Sequence, residues 1–233
     1  MNNWIAAALT LAASLVWLRL MDFAAHRGWI ESRLSRKIIH IGTGPIFVLC
    51  WLMFNNASEA RWLAASIPML ITIQFALIGL GLLKDEASVR AMSRTGDRRE
   101  ILRGPLYYGI AFVVLTLWFW KDSPIGMTAL MLMCGGDGIA DVVGRRVPSP
   151  KLPWSRDKSV AGMLSVFLGG FILTALILWM YISLRLFPGP FGGYLTPLLI
   201  LALTAAAVES LPFRDVDNLT VTLAAVIVGY LVF

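Results

Sequence analysis

Eight apolar stretches alternate with short polar connections along the chain, at about 3–20, 38–54, 62–83, 105–120, 124–143, 160–184, 194–211 and 218–233. An α-helix rises about 1.5 Å per residue, so about 20 apolar residues cross the roughly 30 Å hydrocarbon core of a bilayer. The pattern predicts an all-α fold, a polytopic bundle of about eight transmembrane helices forming one integral-membrane domain over 1–233. Helices are the expected element because backbone groups in lipid have no water to bond. The fifth stretch is irregular. Its cleanly apolar part ends at Cys134, so the chain either takes GGDGIAD into the helix or stops short beside protein-lined water. The opening MNNW lacks the basic start of a cleaved signal, and the first stretch is expected to remain as a span.

Composition sharpens this picture. With 58% hydrophobic and 15% charged residues, the chain is not a water-soluble domain. Seventeen of its twenty Lys and Arg fall in the connections 19–37, 84–103, 145–158 and 212–217, against Arg61, Lys121 and Arg185 elsewhere. Basic connections stay cytoplasmic, so these four are expected in the cytosol with both termini outside, in a bacterial-type inner membrane. The net charge of +6 therefore points to cytosolic loops and anionic lipid, and no nucleic-acid partner is expected. The connection 84–103 is polar enough for a short interfacial helix or an ordered loop. Cys50 and Cys134 lie in apolar runs without metal-type spacing, which supports neither a disulfide nor a zinc site.

Charges at the edge of spans are costly and mark candidate function. Here they gather at the cytosolic ends: Arg36, Lys37 and His40; Asp137 and Asp141; Lys158; Glu209; and Asp215, Asp217 and Asn218. A ring at one face suits a soluble, charged substrate better than a transport path through the bilayer. In GGDGIADVVGRR (135–146), Asp137 and Asp141 are four apart and share a helical face. Two bare carboxylates there repel, and a bound Mg²⁺ would relieve them. The alternative is a pair of interfacial carboxylates bridged to Arg145 and Arg146. Gly135, Gly136 and Gly138 remove side chains where a phosphate or sugar would approach the backbone. In KLPWSRDKSVAG (151–162), Lys151 and Lys158 stand near Arg145 and Arg146, and a helix is expected to begin at Ser159, whose hydroxyl and free N–H groups would cradle a triphosphate. No Walker A spacing or protein-kinase signature is present. Glu209 ends an apolar run and needs a cation, a metal or a proton. Tyr107 and Tyr108, in RGPLYYG, read as interfacial aromatics.

Taken in order, RKIIHIGTG, RGPLYYG, GGDGIADVVGRR, KLPWSRDKSVAG and VESLPFRDVDNLTV resemble the phytol kinase branch of the polyprenol kinase family, over residues 36–221. That family is related to dolichol kinases and, more distantly, to phosphatidate cytidylyltransferases. The resemblance implies phosphoryl transfer from a nucleoside triphosphate, CTP with UTP or ATP as alternatives, to a lipid-soluble isoprenoid alcohol at the cytosolic membrane face. It implies that Asp137 and Asp141 hold Mg²⁺. Asp137, Asp141, Lys158, Glu209, Asn218 and His40 match the family's motif positions; Lys158 and Asn218 join Lys37, Gly136, Gly138, Arg145, Arg146, Lys151 and Ser159, read from the residues themselves, as candidate nucleotide contacts, and Asp137, His40 and Glu209 are candidates for the base. The chain departs from the branch where VPSP follows the paired arginines and where Met163 follows Gly162. The second reading is a CTP-dependent lipid nucleotidyltransferase, whose His-Gly-Gly and Asp-Arg-x-Asp signature is missing; a transporter or lipid-binding protein is the third.

Overall fold

The computed structural model describes residues 1–213 and 216–233. Asp215, one of the charges expected at the cytosolic rim, lies outside these described residues. Each of the eight apolar stretches is helical. α1 (Asn3–His26) and α2 (Ser32–Cys50) run antiparallel, with Ser35 Oγ donating to Met21 O at 3.1 Å. α3 (Ala60–Leu80) leads through a polar insertion, holding α4 (Glu86–Met92) and a 3₁₀ turn (Arg98–Leu102), to α5 (Gly104–Trp118), which packs back on α3. The fifth stretch is α6 (Pro124–Met131), a π-helical turn (Leu132–Asp137) and α7 (Gly138–Arg146). A hairpin of β1 (Lys151–Leu152) and β2 (Ser155–Ser159) then enters α8 (Val160–Ser183), followed by α9 (Gly192–Glu209) and α10 (Asp217–Val232).

Among the described residues, six helical segments are long and apolar enough to cross a membrane, and α10 is a shorter apolar helix. The chain is an integral membrane protein, and its outer faces agree. Leu168, Ile172, Leu176 and Trp179 form an exposed stripe along α8, a surface that only lipid would solvate well. Exposed Trp4, Trp62, Trp118 and Trp179 lie at one end of the bundle, and Trp29 and Trp154 at the other, as interfacial aromatics do.

The segment from α6 to α7 forms the centre. Its span is 72% buried, against 17–33% for the other five, and every residue from Ile125 to Gly136 is enclosed. A helix apolar on all sides has no face to offer water and is surrounded by its neighbours. The chain thus takes GGDGIAD into the helix, with the π turn ending on the first acidic residue, Asp137. π turns of this kind widen a helix locally and are frequent beside functional groups.

Small residues let the neighbours close on this core, as is usual between membrane helices. A Cβ on Gly136 would meet Val166 Cγ1 at 3.0 Å, and one on Gly138 would clash with Ile41 Cγ1. Gly136 and Gly138 are therefore buried against α8 and α2, which corrects the expectation that they open the backbone to a nucleotide. Their side-chain absence serves helix approach. Gly138→Ala is accordingly expected to destabilise the fold by about 1–3 kcal/mol through overpacking. Thermal unfolding in detergent measures this, and an unchanged Tm would contradict the close packing of α2 on α7.

The end of the bundle bearing few basic residues is tied by direct pairs. Asn3 Nδ2 donates to Asn55 Oδ1 at 2.7 Å, Arg61 meets Asp122 at 2.5 Å, and Lys121 Nζ donates to Phe54 O at 2.9 Å.

Candidate active site

At the opposite end, α2, α7, the hairpin, the end of α9 and the start of α10 converge on a cavity of about 910 Å³. Nine Lys and Arg side chains and six carboxylates line it, an excess of positive charge that favours a polyanion. Asp137 occupies its centre. Lys37 Nζ lies 3.5 Å and His40 Nε2 3.3 Å from Asp137 Oδ2, although α2 and the π turn are a hundred residues apart in sequence. His40 Nε2 also stands 3.4 Å from Met133 O.

The hairpin supplies the second cation. Lys158 Nζ bonds Glu209 Oε1 and lies 3.3 Å from Asp217 Oδ2. Burial alone would lower the Lys158 pKa, but Glu209 and Asp217 outweigh it and hold the ammonium above the usual lysine range. Two contacts keep the hairpin in place. Ser159 ends β2 and caps α8, its Oγ accepting from Gly162 N at 3.2 Å, while Trp154 Nε1 donates to both Ser210 O and Ser210 Oγ at 3.2 Å. Ser159 therefore starts the helix as the sequence predicts, with its hydroxyl already engaged in the cap.

Asp137, Glu209 and Asp217 each present a carboxylate oxygen within 4.8 Å of the others. Glu209 is only 5% exposed, and its Oε2 has no partner among the described residues. Three carboxylates crowd together beside only two lysines, and a buried carboxylate oxygen without a donor is costly. The donor set fits a hard divalent cation.

Asp141 stands apart from this group. Arg145 Nε donates to its Oδ1 at 2.6 Å, and Arg33 Nε lies 3.7 Å from its Oδ2. The expected Asp137–Asp141 metal pair is thus not the grouping the structure makes. The four-residue spacing that aligns the two acids also aligns Asp141 with Arg145, and opposite charges meet at that spacing. Arg145 and Lys151 line the cavity, Lys151 Nζ donating to Asp157 O at 3.3 Å, whereas Arg146 is exposed and does not line it. Asn218 Nδ2 donates to Gly104 O at 3.3 Å, and its buried Oδ1, beside the cavity, has no partner among the described residues.

Below the charges the walls become apolar, with Phe47, Ile67, Ile71, Phe75 and Phe112 among the lining residues. At the junction the Tyr108 ring packs on His40, tilted by 37°, at 4.4 Å between centroids, and its hydroxyl donates to His40 O at 2.8 Å. Tyr108 thus belongs to the site rather than to the interfacial aromatics.

Over its whole length the chain is 44% identical to a protein of Oryza sativa subsp. japonica named probable phytol kinase 1, chloroplastic, and covers 75% of it. Two Arabidopsis thaliana proteins match 89% of the chain: phytol kinase 1, chloroplastic, at 39% identity and 69% coverage of that protein, and farnesol kinase, chloroplastic, at 38% and 68%. The chain belongs to the phytol kinase branch of the polyprenol kinase family. No family model matches it, and no solved structure does.

In this member of the phytol kinase branch, Arg33 and Tyr108 line the cavity although local pattern gives neither a site role: Arg33 is one of five basic residues in 19–37, and Tyr108 reads as interfacial. Asp217 is legible as a rim charge, but not as a partner of Lys158. Only the approach of α10 to the hairpin, 59 residues away, gives Asp217 its cation.

Proposed function

We propose that the protein phosphorylates an isoprenoid alcohol with CTP, at the membrane face that carries the basic loops, taken to be cytosolic. Family membership makes it an alcohol phosphotransferase. The observation that supports the reading most is one cavity, charged at its outer end and hydrocarbon at the other. A long-chain alcohol partitions into the bilayer with its hydroxyl near the interface, and a triphosphate arrives from water, so the two meet only at such a junction.

Asp137, Glu209 and Asp217 would hold Mg²⁺, which when bound offsets charge on the donor phosphates. Lys37, Lys158 and Arg145 neutralise the phosphate oxygens, and Lys151 at the rim adds to the attraction. The alcohol oxygen attacks the γ-phosphorus, the bond from that phosphorus to the β-bridging oxygen breaks, and CDP leaves. The hydroxyl proton passes to the Asp137–His40 pair, which lines the cavity where its charged and apolar walls meet. Such transfers run through a loose transition state, so positioning and charge carry most of the catalysis.

The decisive experiment incubates the purified protein in detergent or nanodiscs with Mg²⁺, CTP, UTP or ATP, and a series of prenols, and identifies both products by mass. An alkyl monophosphate with CDP is expected. Pyrophosphate with a CMP-lipid would replace the kinase by a nucleotidyltransferase, and no turnover with any nucleotide would remove the enzymatic reading.

A further inference from the structure

The apolar arm of the cavity ends abruptly. Its last lining residues are Ser14 on α1, Phe47 on α2, Ile67 on α3 and Phe112 on α5. About one turn further along stand Thr10, Ala64 and Thr116 on their helices and Trp51 in the 3₁₀ turn that follows α2, all with 0% exposure. Four helices, two running each way, thus close the arm at a common depth. The closing surface is aromatic. Phe47 and Phe112 pack at 5.4 Å between ring centroids, each 2% exposed, and Trp51 backs Phe47 at 5.9 Å. From His40 to Phe47 is seven residues of helix, so the arm is roughly 10 Å deep.

We infer that Phe47 and Phe112 form a floor that grades acceptor alcohols by the length of their hydrocarbon tail. The inference rests on the proposed kinase reading, since it places the hydroxyl at Asp137–His40 and the tail in the arm beneath. A tail that fits exchanges lipid for a closely packed wall and keeps its hydroxyl at the reacting phosphate. A longer tail must fold back or draw the hydroxyl outward, and small displacements of reacting groups are costly in rate. Two aromatic rings backed by a solid core do not yield easily, because packed interiors have little free volume.

The test compares wild type, Phe112→Ala and Ile71→Phe on prenols of ten, fifteen and twenty carbons. Phe112→Ala deepens the arm, and Ile71→Phe narrows it from the α3 side. The ratio of kcat/KM for the longest over the shortest alcohol is expected to rise at least about tenfold in Phe112→Ala and to fall in Ile71→Phe. If Phe112→Ala does not fold, the narrowing variant alone decides. An unchanged ratio in a folded, active variant overturns the floor. The same panel is read without nucleotide as the rise in melting temperature on adding each prenol. A length dependence that the variants move, in a protein that phosphorylates nothing, keeps the floor and sinks the kinase reading. Turnover with no length dependence moved in either readout does the reverse.

Discussion

Replacing Asp137 by Asn is expected to lower kcat by roughly 10²- to 10³-fold, the scale of removing one charge aimed at the reacting groups. Its carboxylate is the only one that touches both Lys37 and His40 among the described contacts, and it is one of the three within 4.8 Å. Asp141→Asn is the internal comparison. Asp141 already holds Arg145 and Arg33, so its loss is expected to cost far less activity and to leave the Mg²⁺ dependence in place. Titrating kcat against Mg²⁺ for both variants separates the two assignments. Equal damage, with a shifted Mg²⁺ requirement in each, would restore the metal to the Asp137–Asp141 pair.

Lys158→Met is expected to abolish activity and also to destabilise the protein by about 3–5 kcal/mol, because it strands Glu209 as a buried, unpaired carboxylate. The double variant Lys158→Met/Glu209→Gln removes the stranded charge, so most of the melting temperature should return while activity does not. If the double variant melts as low as the single one, the loss comes from packing of the lysine stem and not from the orphaned carboxylate. The pH dependence follows from the raised pKa of Lys158. A proton held more tightly in the folded state stabilises it fully below the ordinary lysine value of 10.5, and that contribution fades only as pH climbs through the higher folded value. The Tm difference between wild type and Lys158→Met should therefore be flat from pH 9 to 10. Narrowing within that interval would contradict the pairing.

Much of this architecture is written locally. The eight stretches needed only hydropathy, the start of α8 only Ser159 before an apolar run, and the family only its ordered motifs. The groups at the rim were also legible, because a charge beside a span announces itself. What local pattern does not contain is which distant charges pair. His40 meets Asp137, and Lys158 meets Glu209 and Asp217, through contacts 51 to 97 residues apart that only the bundle's packing decides. Glycines misled for a related reason. Gly136 and Gly138 sit in a motif full of chemistry, yet in a membrane bundle a missing Cβ serves close helix contact as readily as it serves a ligand. The pairing of Asp141 with Arg145 was visible as spacing, and its consequence, that Asp141 is already occupied, became clear only with Arg33 beside it.

The hairpin that bears Lys158 is pinned at both shoulders, through Ser159 to α8 and through Trp154 to Ser210 after α9. It is therefore not a free arm that wraps around a nucleotide. Folding decides in advance where that ammonium stands, and the triphosphate proposed to bind there would spend little of its binding energy on ordering a loop. Recognition at this rim should resemble docking into a rigid socket, with selectivity set by shape and not by induced closure.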